Sequence, residues 1–184
     1  MQRTLIATAA AAAFLTLAGT AQAQTNDLNT YVEVGYSRVS VKASDFGLKA
    51  SPGVLSTTLG RRINANLAVE ANLGLALGSD ELTFNGAPTG VTAKLGTNLG
   101  VFLRPSVQLN DSVELFGRAG WQRTRLKLSA DGASDSASDN DFAYGFGVNY
   151  SLSKTSYLQA SWLNQLSKGG VNAKAIGLSY GYRF

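Results

Sequence analysis

Residues 175–184 alternate strictly between apolar positions and small or polar ones, and this pattern limits what the chain can fold into. A period of two predicts a β-strand with one apolar face and one small, polar face. In water such a strand would leave an apolar edge that favours aggregation. In a bilayer, as the closing strand of a barrel, it would turn the apolar face to the acyl chains. We therefore expect a transmembrane β-barrel.

The N-terminal residues 1–23 have the layout of a secretory signal peptide. Arg3 gives a basic start, an apolar run follows over residues 5–18, and small residues precede Ala23. The alternative is a membrane anchor, but the run falls short of the roughly 20 residues that span a bilayer. We expect cleavage after Ala23 and one mature barrel domain, residues 24–184. The sequence has zero Cys, so no disulfide is expected.

Seven further segments show similar alternation, so the fold class is an all-β, eight-stranded antiparallel up-and-down transmembrane barrel. Long connections are expected at 42–53, 79–90, 129–140 and 167–172, with short ones between them. All three prolines then fall in connections, where no ladder hydrogen bond is lost. The predicted strands are 31–41, 54–63, 67–77, 91–104, 113–121, 142–150, 157–163 and 175–184.

Composition excludes several classes of function. The formal net charge of +4 is too small to indicate nucleic-acid binding. Outer-membrane barrel enzymes such as lipid A deacylases, phospholipases and omptin proteases use a His as base or activator, and the chain has zero His. With zero Cys, no Cys nucleophile is available either. An enzyme is not expected, although a lone carboxylate base such as Glu70 stays an alternative. No cofactor or metal is expected, because the Asp-rich segment 129–140 lacks the spacing of a calcium loop and is interpreted as a solvated loop.

Two stretches resemble the small eight-stranded outer-membrane barrels: the OmpA membrane domain, OmpX and the opacity-type proteins of the porin family. One is LGRRINANLAVEANLGL, residues 59–75, which resembles the family's strand–turn–strand with a lumenal glutamate, here Glu70. The other is the terminal YGYRF. With Tyr180, Tyr182 and Phe184 it is similar to the signal read by the outer-membrane assembly machinery. The resemblance covers residues 29–184 and implies location in the outer membrane of a Gram-negative cell. We expect a monomer.

Alternation places three glutamates and five basic residues on the lumen face. An eight-stranded lumen is nearly filled by side chains, and unpaired charges there are costly, so an interlocking ion-pair plug is predicted. Because the first and last strands are neighbours, Glu33 can approach Arg183. A gated ion path and a catalytic carboxylate stay open as alternatives. The predicted set is Glu33, Arg62, Glu70, Lys94, Arg104, Glu114, Arg118 and Arg183.

A basic stripe, Arg123, Arg125 and Lys127, follows the outward Trp121. Guanidinium forks match phosphate oxygens, so one interpretation is a clamp on lipopolysaccharide phosphates. Pairing with the nearby Asp-rich segment, or simple solvation, is the other.

The expected function is structural or interactive: stabilising the outer membrane and displaying loops to lipid, host molecules or neighbouring surface proteins. The first alternative is a narrow pore for ions or small solutes, and a lipid-modifying enzyme comes third. The family resemblance does not decide among these, because such barrels serve several functions. Nothing in the loop sequences names a binding partner.

Overall fold

The computed structural model describes residues 28–43, 47–77, 80–84, 87–130, 133–168 and 170–184. The predicted signal peptide, residues 1–23, lies outside the described residues and stays a prediction. Within the described ranges, no helix is long and apolar enough to cross a membrane.

The described residues form ten strands, eight of which close into an antiparallel barrel. The barrel order is β1–β3–β4–β6–β7–β8–β9–β10, and β10 pairs back with β1 from Tyr31–Arg183 to Ala43–Val171. The eight-stranded barrel predicted from the sequence is therefore confirmed. The strands are β1 (Thr30–Ala43), β2 (Leu48–Ala50), β3 (Gly53–Asn64), β4 (Leu67–Ala76), β5 (Asp80–Phe84), β6 (Ala87–Gln108), β7 (Val113–Ala130), β8 (Ala133–Ser151), β9 (Ser156–Lys168) and β10 (Val171–Arg183).

The two short strands, β2 and β5, continue the wall beyond β3 and β4. They pair with each other at Leu48–Phe84, and they also pair with β1 and β6 respectively. Both lie inside segments predicted to be loops, 42–53 and 79–90. The break between β2 and β3 contains Pro52, which has no backbone N–H to give to a ladder.

The two faces of the wall follow the predicted alternation. On β10, Ile176 and Leu178 are 69% and 71% exposed, whereas the intervening lumen-side positions are small. On β4, the lumen-side Glu70 is 0% exposed. Alternation also continues further along β1 than the sequence suggested, because Val39 is buried and Arg38 is exposed.

Several strands run longer than predicted. Residues 129–140, expected to be a loop, lie mostly in β7 and β8, whose pairing continues to Ala130–Ala133. Pro88 and Pro105, expected in connections, lie within β6. The β6–β7 pairing runs to Leu103–Ala119 and resumes at Ser106–Phe116, so Pro105 sits at an interruption of that ladder.

A register shift interrupts the pairing of β6 with β7 near Lys94. Leu95 pairs with Leu126 but Asn98 pairs with Thr124, so β6 carries one extra residue between them. On the far side of this bulge, Lys94 pairs with Lys127. The side chain of Lys94 lies outside the described part of the chain, so its predicted place on the lumen face stays a prediction.

Short connections and both described chain ends lie at one end of the barrel. The connections are 65–66, 109–112 and 152–155, and Thr30 exchanges backbone hydrogen bonds of 3.2 and 2.8 Å with Phe184. Outer-membrane barrels have their short turns on the periplasmic side. This end, called the periplasmic mouth below, therefore orients the molecule.

Candidate functional site in the barrel lumen

Four charged side chains from four strands meet inside the barrel. Glu33 comes from β1, Glu70 from β4, Arg104 from β6 and Arg118 from β7. Their exposed fractions are 2%, 0%, 2% and 9%. We call this group the quartet. Successive side chains of a strand alternate between its two faces, and each member of the quartet lies at a lumen-facing position. The inward direction of all four therefore follows from the local sequence of each strand.

Each arginine of the quartet contacts both glutamates. Arg104 Nη1 lies 2.8 Å from Glu33 Oε1 and 2.9 Å from Glu70 Oε1. Arg118 Nη2 donates to Glu33 Oε2 at 3.3 Å and to Glu70 Oε1 at 3.1 Å. Arg118 Nε lies 2.6 Å from Glu70 Oε2, a charge contact whose N–H is not aligned for a hydrogen bond. The four formal charges balance, which a low-dielectric interior requires.

Two tyrosines donate hydrogen bonds to the glutamates of the quartet, and each of them does so across an intervening strand. Tyr31 on β1 pairs with Gly60 on β3, which pairs with Glu70 on β4. The Tyr31 ring lies over Gly60, and its hydroxyl donates to Glu70 Oε1 at 2.8 Å. In each case the tyrosine reaches a carboxylate two strands away because the strand between them offers a glycine.

The second case uses Tyr157 on β9, Gly181 on β10 and Glu33 on β1. The Tyr157 ring lies over Gly181, and its hydroxyl donates to Glu33 Oε1 at 2.7 Å. Gln159 donates to the same oxygen at 2.6 Å. Sequence analysis did not identify these hydroxyl and amide partners. Alternation could have placed these side chains in the lumen. Which carboxylate each tyrosine contacts depends on the cross-strand register, which alternation does not give.

Aromatic rings form the walls around the two arginines of the quartet. The guanidinium carbon of Arg104 lies 3.9 Å from the centroid of the Phe116 ring. That of Arg118 lies 5.6 Å from Phe116 and 5.7 Å from Phe102. Cation–π attraction of this kind strengthens when the cation is desolvated. The rings therefore hold the cations in place as well as filling the bore.

A second charged group lies nearer the periplasmic mouth. Arg62 Nη2 contacts both oxygens of Glu114 at 2.7 and 2.8 Å, and Asn149 donates to Glu114 Oε2 at 3.3 Å. Arg183 Nη2 lies 3.6 Å from the same oxygen. Arg183 was expected to approach Glu33. It approaches Glu114 instead, because the arginines of the quartet already contact the oxygens of Glu33.

On the outer side of the quartet the lumen holds a small polar cavity and then an apolar cluster. The cavity has a volume of about 50 Å³ and is lined mainly by hydroxyl and amide groups, among them Ser56 and Asn98. A space of this size holds a few water molecules. Further along, buried apolar side chains pack together: Val39, Val54, Ala173 and Ala175.

The outer face of the wall carries a run of aromatic rings next to the basic stripe. Trp121 and Phe142 are 5.7 Å apart, and Phe146 and Trp162 are 5.4 Å apart, measured between centroids. Such belts mark the membrane interface of outer-membrane barrels. Arg123 and Arg125 occupy the next two outward-facing positions after Trp121, and both are exposed.

Two of the predicted assembly residues, Tyr180 and Tyr182, lie on the lipid face of β10, and Phe184 follows the end of that strand. Tyr180, Tyr182 and Phe184 are 49%, 46% and 40% exposed, and the rings of Tyr182 and Phe184 stack at 6.5 Å. Their role in assembly stays a prediction.

Comparison with protein families identifies the chain. The family described as "Outer membrane protein beta-barrel domain" matches residues 8–184. The chain belongs to this family. It is an outer-membrane protein, as the closed barrel with a polar lumen and apolar exterior requires. A comparison with curated proteins found no match.

Solved structures of small barrels share the fold. Ail of Yersinia pestis is 22% identical with a TM-score of 0.63, over 85% of this chain and 98% of Ail. Neisserial surface protein A is 16% identical with a TM-score of 0.66, over 84% and 97% of the two chains. The barrel domain of Pseudomonas aeruginosa OprF is 11% identical with a TM-score of 0.56, over 83% and 97%.

The first prediction concerns the quartet. Replacing Glu70 by alanine leaves the buried Arg104 and Arg118 with one carboxylate between them. We expect a loss of about 3–5 kcal/mol in the free energy of unfolding. Urea titration of the folded barrel in lipid vesicles measures it. The control is Asp111→Asn in an exposed turn, which should change stability by less than about 0.5 kcal/mol. Unchanged stability together with increased conductance in Glu70→Ala would contradict a structural plug.

The second prediction concerns the glycine under Tyr157. A methyl group at Gly181 overlaps the Tyr157 ring, so the ring must move and its hydrogen bond to Glu33 is strained or lost. Gly181→Ala should destabilise the barrel by about 1–3 kcal/mol in the same urea titration. Gly117→Ala is the matched control, since the nearest atom to its added carbon is 3.5 Å away. Equal stability of the two variants would refute the packing argument.

Proposed function

We propose that the protein is a closed, non-conducting scaffold in the outer membrane. On this proposal, its basic outer face binds lipopolysaccharide phosphates, and its outer connections contact host or neighbouring surface molecules. The observation that carries the proposal is the position of Arg123 and Arg125, which are exposed on the outer face of β7 just beyond the aromatic rings of Trp121 and Phe142.

The register at Arg123 supports the lipopolysaccharide clamp. Arg123 pairs with Asn140, so its cross-strand neighbour is uncharged. Asp141 pairs with Gln122, which is buried on the lumen side. Asp141 also accepts a hydrogen bond from the backbone N–H of Ser167 at 2.8 Å. Cross-strand partners share a face, so alternation places Asp141 on the face opposite Arg123.

The clamp is tested by removing the stripe. The triple variant Arg123→Gln, Arg125→Gln, Lys127→Gln should bind lipopolysaccharide about tenfold more weakly. Three exposed charge–phosphate contacts of about 0.5 kcal/mol each amount to roughly this factor. Titration of fluorescent lipopolysaccharide into barrels in phosphatidylcholine nanodiscs measures the affinity. Arg61→Gln, at the periplasmic end, is the control. Equal affinity of the triple variant and the native protein would refute the clamp.

Two obstructions in series support a closed lumen. The quartet fills the bore with balanced charges and aromatic walls, and the apolar cluster around Val39 follows beyond the small cavity. An ion crossing the lumen would have to break buried ion pairs and then pass apolar side chains. Both steps cost free energy. These features argue against the alternative of a narrow pore.

Planar-bilayer recording tests the closed lumen. The folded native protein should give only baseline current at moderate voltage. A variant that removes the apolar cluster, Val39→Ser with Val54→Ser, should behave the same, because the quartet still closes the bore. Steady single-channel steps from the native protein would refute the scaffold and restore the pore.

Catalysis is not part of the proposal. The sequence has zero His and zero Cys, and among the described residues there is no group of three or more acidic side chains that could hold a metal ion. The buried carboxylates of Glu33, Glu70 and Glu114 are each paired with arginine. The structure of Ail in complex with sucrose octasulfate, a heparin analogue, is 22% identical with a TM-score of 0.64. It supports sulfated glycans as one class of host molecule to test against the outer connections.

A further inference from the structure

The lumen charges are unevenly balanced along the barrel axis. The quartet holds two arginines and two glutamates, so it is neutral. Nearer the periplasmic mouth, Arg62 and Arg183 share the single carboxylate of Glu114. Among the described residues, one positive charge of this group therefore has no carboxylate of its own.

Arg183 is the arginine in surplus. Arg62 takes both oxygens of Glu114 at hydrogen-bond distance, and Asn149 adds a third donor. Arg183 comes no closer than 3.6 Å, which is beyond a hydrogen bond. A guanidinium has five N–H donors in a planar fork suited to carboxylate or phosphate oxygens.

The position of Arg183 is fixed in advance of any ligand. Its guanidinium carbon lies 4.3 Å from the centroid of the Tyr157 ring. Its backbone N–H donates to Thr155 O at 2.7 Å, next to the β8–β9 turn. The exposed fractions of the Arg183 and Arg62 side chains are 13% and 20%. Both are accessible yet largely shielded, so their charges are weakly screened by salt.

The space in front of these arginines can hold a small anion. The periplasmic mouth is an open cavity of about 560 Å³. Its charged lining has three cationic and two acidic residues, with serine hydroxyls and an amide between them. The lining relevant here is Arg62, Lys154, Arg183, Asp111, Glu114 and Ser153.

We propose that the periplasmic mouth binds a small oxyanion, a carboxylate or a phosphate, through Arg183 assisted by Arg62. The anion supplies a negative charge that the described residues do not provide to this group, and it accepts hydrogen bonds from the guanidinium of Arg183. Carboxylates and phosphates share this recognition chemistry, and both occur on molecules of the periplasm. The site is separate from the outer basic stripe, which lies at the opposite end of the barrel.

The test follows the arginine side-chain Nε–H signals by NMR in the full folded protein in nanodiscs. Sodium phosphate is titrated at constant ionic strength against sodium chloride, and sodium acetate is titrated in a parallel series. We expect saturable shifts of the Arg183 and Arg62 signals. The oxyanion that saturates them at lower concentration identifies the source. In Arg183→Gln the affinity should fall at least about tenfold, which corresponds to one lost charge-assisted contact of roughly 1.4 kcal/mol or more.

Arg61→Gln is the matched control, because this neighbour of Arg62 lies on the outer face and should not alter the titration. Equal affinity of Arg183→Gln and the native protein would overturn the proposal. So would shifts that track ionic strength alone. If Arg183→Gln does not fold, the native titration decides: saturable shifts confined to Arg62 and Arg183 support the site, and uniform shifts that include Arg61 and Arg123 refute it.

Discussion

Two arginines and two glutamates buried together inside the barrel form the interaction on which the rest of the structure depends. Burying four charges is costly, and the cost is offset only when each charge meets an opposite one at hydrogen-bond distance. The quartet meets this condition by drawing on β1, β4, β6 and β7. Any change in the stagger of these strands would separate the pairs. The quartet therefore stabilises one particular closed barrel over alternatives with shifted registers.

Small residues make this arrangement possible. Tyr31 and Tyr157 reach carboxylates two strands away only because Gly60 and Gly181 leave room for their rings. Each tyrosine thus covers a glycine, fills the bore and supplies a hydroxyl to a glutamate. Packing and hydrogen bonding are achieved by the same side chain, so the lumen can be polar and still closely filled. This explains why a chain with so many lumenal glycines does not enclose a wide channel.

The two ends of the barrel differ in what they offer to solvent and lipid. At the outer end, the exposed Arg123 and Arg125 lie just beyond the aromatic rings of Trp121 and Phe142. At the periplasmic mouth, Arg62 and Arg183 share the carboxylate of Glu114. The quartet between the two ends is neutral, so both of these charged groups lie outside it.

Much of the site could be predicted residue by residue. Alternation predicted Glu33, Glu70 and Arg118 on one face of their strands, and all three are buried, because the direction of a side chain in a strand depends on local backbone geometry. It did not predict the extra residue of β6 between Leu95 and Asn98, because nothing local marks a bulge. It also expected Arg183 beside Glu33, as neighbouring strands suggested. The observed partner depends on the lengths and stagger of both strands and on which oxygens other arginines already occupy.

By itself, the sequence determined the class of fold, the number of barrel strands and the inner and outer face of most of them. A two-residue period carries this information within a few residues of chain. Only the tertiary structure decided which charges meet, which glycines lie under tyrosines, and that segments 79–90 and 129–140 contain strand. These depend on cross-strand register, which is set by hydrogen bonding and packing between residues far apart in sequence. No local pattern contains that register.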